Sequence, residues 1–131
     1  MASILVVDDD PTIHLIAAEL LRASDHAMVE AADGVEGIRL FKALPVDLVV
    51  LDMLMPNRDG LETLLEMKAL KPQVPILAIS SGGRVSPASY LKAAMTLGAD
   101  ASLEKPLRLD TFRVTVDRLL AGNQKVARRV S

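Results

Sequence analysis

Cysteine and tryptophan are absent from the 131 residues, and the aromatic content amounts to two Phe and one Tyr. Without cysteine there is no disulfide framework, no thiolate metal ligand and no cysteine nucleophile. Two histidines, His14 and His26, are too few for most zinc sites. The shortage of aromatics removes the platforms on which bases and sugar rings stack. Neither sign of charge dominates: 15 Lys and Arg face 17 Asp and Glu, a formal net charge of −2. The global cationic field that nucleic-acid binding needs is missing, so no direct nucleic-acid contact is expected. The apolar run Ile4 to Val7 near the start has no basic stretch before it and is too short for a signal segment or a membrane span. The expectation is a cytoplasmic protein without membrane insertion.

Half of the residues are hydrophobic, so the core must be built from Leu, Val, Ile, Ala and Met. A chain of this length suits one domain that buries about two-thirds of its unfolded surface. Five short apolar runs alternate with helical patterns, as expected of a parallel sheet covered on both faces. The runs are Ile4 to Val7, Ala27 to Ala32, Leu48 to Leu51, Ile76 to Ile79 and Ala101 to Leu103. Asp10 caps a first helix with Pro11 at its first position and an inward stripe of Ile13, Ile16, Ala17, Leu20 and Leu21. Asp33-Gly34 introduces a short helix carrying Ile38 and Phe41 inward, and Asp59-Gly60 one with Leu61, Leu64 and Leu65 on one face. A fourth helix starts near Pro87, buries Ala88, Leu91, Ala94 and Met95, and ends at Gly98. The fifth runs from about Leu109 to Ala121, burying Leu109, Phe112, Val116, Leu119 and Leu120, with Gly122 closing it. Residues 123–131 show no packing pattern and read as a mobile, solvated tail. The (βα)5 order of this α/β chain leaves nothing for a second domain.

Polar residues stand at the carboxyl ends of these runs: Asp8 and Asp9 after the first, Asp52 after the third, Ser80 after the fourth and Lys105 after the fifth. Taken singly each has an ordinary reading, as a helix cap, a turn residue, loop filler or a surface lysine. In an open parallel sheet, however, those ends share one edge, and ligands bind there. Three carboxylates, a hydroxyl and an ammonium then meet in one crevice. Clustered carboxylates without Cys or His favour a hard cation such as Mg²⁺, a common arrangement for handling phosphoryl groups. His14 and His26 read as solvent-facing or helix-terminal residues with no chemistry.

From residue 3 to 121 the chain resembles the receiver domain of bacterial two-component response regulators. The motifs are ILVVDDD (Ile4 to Asp10), LDMLMPNRDG (Leu51 to Gly60), Ser80 at the end of the fourth strand, and Lys105-Pro106. The resemblance implies a doubly wound, flavodoxin-like sheet of order 2-1-3-4-5 within a receiver domain of residues 1–122. It implies that Asp52 accepts a phosphoryl group from a histidine kinase or histidine phosphotransfer protein. Asp9, Asp52 and the Leu54 carbonyl are then expected to bind Mg²⁺ directly and Asp8 through water. The resemblance also implies that Ser80 and Lys105 contact the phosphoryl group and that Pro106 follows a cis bond. The chain is expected to catalyse only its own phosphorylation and slow dephosphorylation. Phosphorylation is then expected to shift an existing equilibrium toward an active surface on the fourth helix, fifth strand and fifth helix, where a single-domain regulator would signal by contact with a downstream protein.

Asp8-Asp9-Asp10-Pro11-Thr12 also fits the DxDxT signature of haloacid-dehalogenase-like phosphatases, with Asp8 as nucleophile. That reading leaves LDMLMPNRDG unexplained and lacks a further acidic motif at a strand end. A pseudo-receiver that binds partners without phosphorylation is a third reading, against which the intact acidic and lysine positions argue. Two features depart from the family. Ser102 stands three positions before the lysine, where an aromatic residue often reports activation, and the loop 81–86 is long and glycine-rich. Leu54 and Gly82 occupy positions from which a polar side chain could orient a hydrolytic water, which implies slow loss of phosphate.

Overall fold

The computed structural model describes residues 2–55, 59–81 and 87–130. Five parallel strands, β1 (Ser3–Val7), β2 (Ala27–Ala31), β3 (Leu48–Asp52), β4 (Ile76–Ser80) and β5 (Ala101–Glu104), form one sheet in the order β2-β1-β3-β4-β5. Helices α1 (Pro11–Ala23), α2 (Gly34–Ala43), α3 (Gly60–Leu70), α4 (Pro87–Thr96) and α5 (Leu109–Val130) complete the flavodoxin-like arrangement. The strands read as unbroken apolar runs because both sheet faces are covered and successive side chains go to opposite sides. On one side Leu5, Val7, Val49, Leu51, Ile76 and Ala78 pack with Ile38 and Phe41 of α2, Leu64 and Met67 of α3, and Leu91 and Ala94 of α4. On the other, Ile4, Val6, Leu48, Val50, Leu77 and Ile79 pack with Ile13, Ala17 and Leu21 of α1 and with Phe112, Val116 and Leu120 of α5.

Local chemistry starts the helices where the strands stop. The carboxylates of Asp10, Asp33 and Asp59 accept the N–H groups of Thr12, Glu36 and Leu61, satisfying donors that a helix start leaves open. After α4, Gly98 takes φ +116°, a backbone conformation that other residues rarely adopt.

Several helix faces differ from the periodicity reading. In α3 the inward residues are Thr63, Leu64 and Met67, whereas Leu65 is 48% exposed. Thr63 is accepted in the core because its hydroxyl donates to the Asp59 carbonyl at 3.0 Å. Ala88 and Met95 of α4 and Leu109 of α5 face outward, and Ile16, Leu20 and Leu119 are only half-buried at the margins of their stripes. Gly122 does not end α5, which continues to Val130, so 123–130 are helical where a patternless tail was expected. A glycine inside a helix costs only about 1 kcal/mol relative to alanine. Gln124, Lys125, Ala127, Arg128 and Arg129 favour continuation. Of the loop 81–86, all but Ser81 lies outside the described residues.

Candidate phosphoryl-acceptor site

The sheet order brings the carboxyl ends of β1, β3, β4 and β5 to one edge. Asp8 and Asp9 come immediately after β1, Asp52 and Ser80 are the last residues of β3 and β4, and Lys105 follows β5. One oxygen from each of Asp8, Asp9 and Asp52 lies within 4.8 Å of the others. Asp8, Asp52 and Ser80 are buried, while Asp9 is exposed and forms the solvent side of the cluster. The Lys105 ammonium, itself only 11% exposed, lies 2.8 Å from Asp8 Oδ2 and 3.4 Å from Asp52 Oδ2.

Main-chain bonds hold these side chains in place. The Lys105 N–H donates to the Ser80 carbonyl at 2.9 Å, so the serine and the lysine are tied across β4 and β5. The Leu54 N–H donates to Asp52 Oδ1 at 3.2 Å, and the Asp10 N–H donates to Asp8 Oδ1 at 2.8 Å. The Lys105-Pro106 peptide is cis, as the family resemblance implied.

Three carboxylates beside one ammonium leave an excess of negative charge in a poorly hydrated place. Burial pushes the Asp52 carboxyl up to about 6, and the neighbouring Asp8 charge adds to the rise. Lys105 and the Leu54 N–H oppose it without cancelling it. For Lys105, burial works against the charged form, but the bond to Asp8 and the charges of Asp52 and Asp8 outweigh it, so its pKa is raised. Three oxygen donors, one of them open to solvent, suit a hard divalent cation that keeps part of its water shell.

The structure therefore brings Asp8, Asp9, Asp52, Ser80 and Lys105 together, with Leu54 and Pro106 adjoining them. Gly82 is outside the described residues. Two further residues shape the site in ways the sequence does not indicate. A Cβ on Gly60 would stand 2.5 Å from Met53 Cα and 2.6 Å from the Asp52 carbonyl oxygen, so only glycine lets α3 start this close to the end of β3. Its signal is the Asp59-Gly60 pair that ends the LDMLMPNRDG motif and turns the chain into α3, which does not by itself reveal the close approach to β3. His14, in the first turn of α1, is half-buried rather than open to solvent: Nε2 lies 2.7 Å from the Asp8 carbonyl oxygen, and Nδ1 is buried with no hydrogen-bond partner among the described residues. His14 follows the buried Ile13 on the helix that begins beside the acidic cluster, and no pattern marked that contact.

Comparison with known proteins agrees with this geometry. The family described as the response regulator receiver domain matches residues 4–117. The transcriptional regulatory protein ZraR of Escherichia coli K12 is 34% identical over 123 residues, which cover 94% of this chain and 27% of that protein. The transcriptional regulatory protein GlrR of the same organism is 30% identical over 119 residues, covering 91% and 26%. The chain thus spans about a quarter of the length of these relatives. Among solved structures, the receiver domain of NtrX from Brucella abortus superposes with a TM-score of 0.82 at 30% identity, covering 90% of this chain and 98% of that one. A CheY-like receiver domain protein from Methanospirillum hungatei gives a TM-score of 0.87 at 22% identity, covering 95% and 98%, a likeness of fold. The match is to the receiver-domain family, whose motif LDMLMPNRDG the phosphatase reading leaves unexplained. The chain belongs to the receiver-domain family of two-component response regulators.

Proposed function

We propose that Asp52 is a phospho-acceptor that takes its phosphoryl group from the phosphohistidine of a histidine kinase or histidine phosphotransfer protein. The observation that carries this reading is the convergence of Asp52 with two further aspartates and Lys105 at one sheet edge. An Asp52 carboxylate oxygen attacks phosphorus, the O–P bond forms, and the P–N bond breaks with its electron pair leaving on the imidazole. Lys105 is within reach of the transferred oxygens and balances their charge, and the Ser80 hydroxyl contacts one of them. Asp9, Asp52 and the Leu54 carbonyl would hold Mg²⁺. Asp8, with Oδ1 on the Asp10 N–H and Oδ2 beside Lys105, would act through a water. Bound there, the cation supplies charge neutralisation for the phosphoryl oxygens.

The added charge, close to −2, draws Ser80 and the start of the following loop inward and favours a signalling surface on α4, β5 and α5. Ser102 on β5 cannot make the ring movement of an aromatic residue, so transmission runs through other side chains of that surface. The output is contact with a downstream protein, in the cytoplasm where the phosphodonor resides, and these residues make no direct contact with nucleic acid. Incubation with acetyl phosphate and Mg²⁺ tests the chemistry. The incorporated phosphate should be released by neutral hydroxylamine, as an acyl phosphate is. Hydroxylamine-resistant phosphate, or none at all, contradicts the proposal.

A further inference from the structure

We propose that His14 is a positioning residue for the acidic cluster, holding the peptide between Asp8 and Asp9 so that the Asp9 carboxylate stays with that of Asp52. A carbonyl oxygen only accepts, so the 2.7 Å contact requires His14 Nε2 to carry the proton and donate to Asp8 O. Asp8 is thereby held at every polar group. Its N–H donates to the Ala31 carbonyl at 3.0 Å, its carbonyl receives His14, Oδ1 receives the Asp10 N–H, and Oδ2 lies beside Lys105. The Asp8 carbonyl and the Asp9 N–H belong to one planar peptide unit. Fixing the carbonyl direction with His14 therefore fixes the plane from which Asp9 departs. Asp9 is the exposed member of the cluster, and among the described residues no side-chain hydrogen bond anchors it, so the peptide plane is its main constraint.

The second ring nitrogen strengthens the argument. Nδ1 is buried and lacks a hydrogen-bond partner among the described residues. Leaving a buried polar atom unpaired is unfavourable, so an apolar side chain would suit this pocket better if packing were the only requirement. What an apolar side chain cannot provide is the donor to Asp8 O. The role is independent of His14 changing its protonation, because the neutral ring with the proton on Nε2 already makes the bond.

This inference rests on the reading of Asp9 and Asp52 as Mg²⁺ ligands, and the experiment separates the two. In the metal-free protein, long-range ¹H–¹⁵N spectra of the imidazole should show the proton on Nε2; a neutral ring with its proton on Nδ1 overturns the proposal. Mg²⁺ titration should then show roughly tenfold weaker binding in His14→Leu, a loss of the size typical for removing a group that orients a ligand. His14→Gln, whose amide can donate from a similar reach, should bind close to wild type. Equal binding by wild type and His14→Leu, or equal loss in both variants, contradicts the role. Should His14→Leu not fold, the ring spectrum and His14→Gln decide the matter. A wild type that binds no Mg²⁺, or binding untouched by Asp9→Ala, contradicts the underlying ligand reading instead.

Discussion

Lys105 Nζ sits 2.8 Å from Asp8 Oδ2, closer than the 3.4 Å that separates it from Asp52 Oδ2. The lysine is therefore shared between two carboxylates and stands closer to the one that is not the proposed acceptor. Asp52 is left only partly compensated, so burial, with the Asp8 charge adding to it, pushes its carboxyl up to about 6.

Replacing Lys105 by methionine should raise the Asp52 pKa further, because burial and the Asp8 charge would then act against the carboxylate without an opposing cation. Removing one partner of a buried pair also costs roughly 3–5 kcal/mol of stability. Carboxyl ¹³C titration and urea unfolding of Lys105→Met measure both effects; an unchanged Asp52 titration would show that the lysine does not govern it.

The raised Asp52 pKa has a defined consequence for stability in the metal-free protein. Between the usual carboxyl value of 3.8 and about 6, the folded state holds a proton that the unfolded state has released. Stability from this group is thus present below the lower value and lost as pH rises through the upper one. Asp52→Asn should be more stable than wild type at pH 7 by on the order of 1–3 kcal/mol and should flatten the pH dependence in that window. A parallel profile in the two proteins contradicts the assignment.

Much of this site could be read from sequence because its residues stand at strand ends, and β1 and β3 announce themselves as unbroken apolar runs. Once β1, β3, β4 and β5 are placed, Asp8, Asp9, Asp52, Ser80 and Lys105 must share an edge. Three contacts escaped that logic because they depend on the path of the chain between elements. His14 reaches a carbonyl six residues earlier, Gly60 is pressed against the β3 backbone, and Lys105 prefers Asp8 to Asp52. The inward face of α3 was ambiguous for a simpler reason: Leu61, Leu64, Leu65 and Met67 supply apolar residues for more than one stripe. Gly122 is a poor stop signal because a single unfavourable propensity inside a run of helix formers does not end a helix.

Gly60→Ala should both destabilise the fold and disturb the acceptor. The added methyl would lie 2.5 Å from Met53 Cα, so the backbone of Asp52 and Met53 or the start of α3 must move. A cost of about 1–3 kcal/mol is expected for such overpacking. Denaturant midpoints and amide shifts of 52–54 report it; wild-type values for both would show that α3 can be displaced without strain.

Hydrolysis of an aspartyl phosphate requires a water held in line with the P–O bond. Leu54, half-buried next to Asp52, offers no side-chain hydrogen bond for that water. Slow self-dephosphorylation is expected in the wild type and faster decay in Leu54→Asn. Decay measured with Mg²⁺ present checks this: rapid wild-type loss, or no acceleration in the variant, removes water positioning by this residue as the controlling factor.

The central claim, that Asp52 receives the phosphoryl group, is tested most directly by intact mass after treatment with a small phosphodonor and Mg²⁺. Wild type should gain one phosphate and Asp52→Asn none. A phosphate retained by Asp52→Asn and lost in Asp8→Asn would move the acceptor to Asp8 and contradict the account.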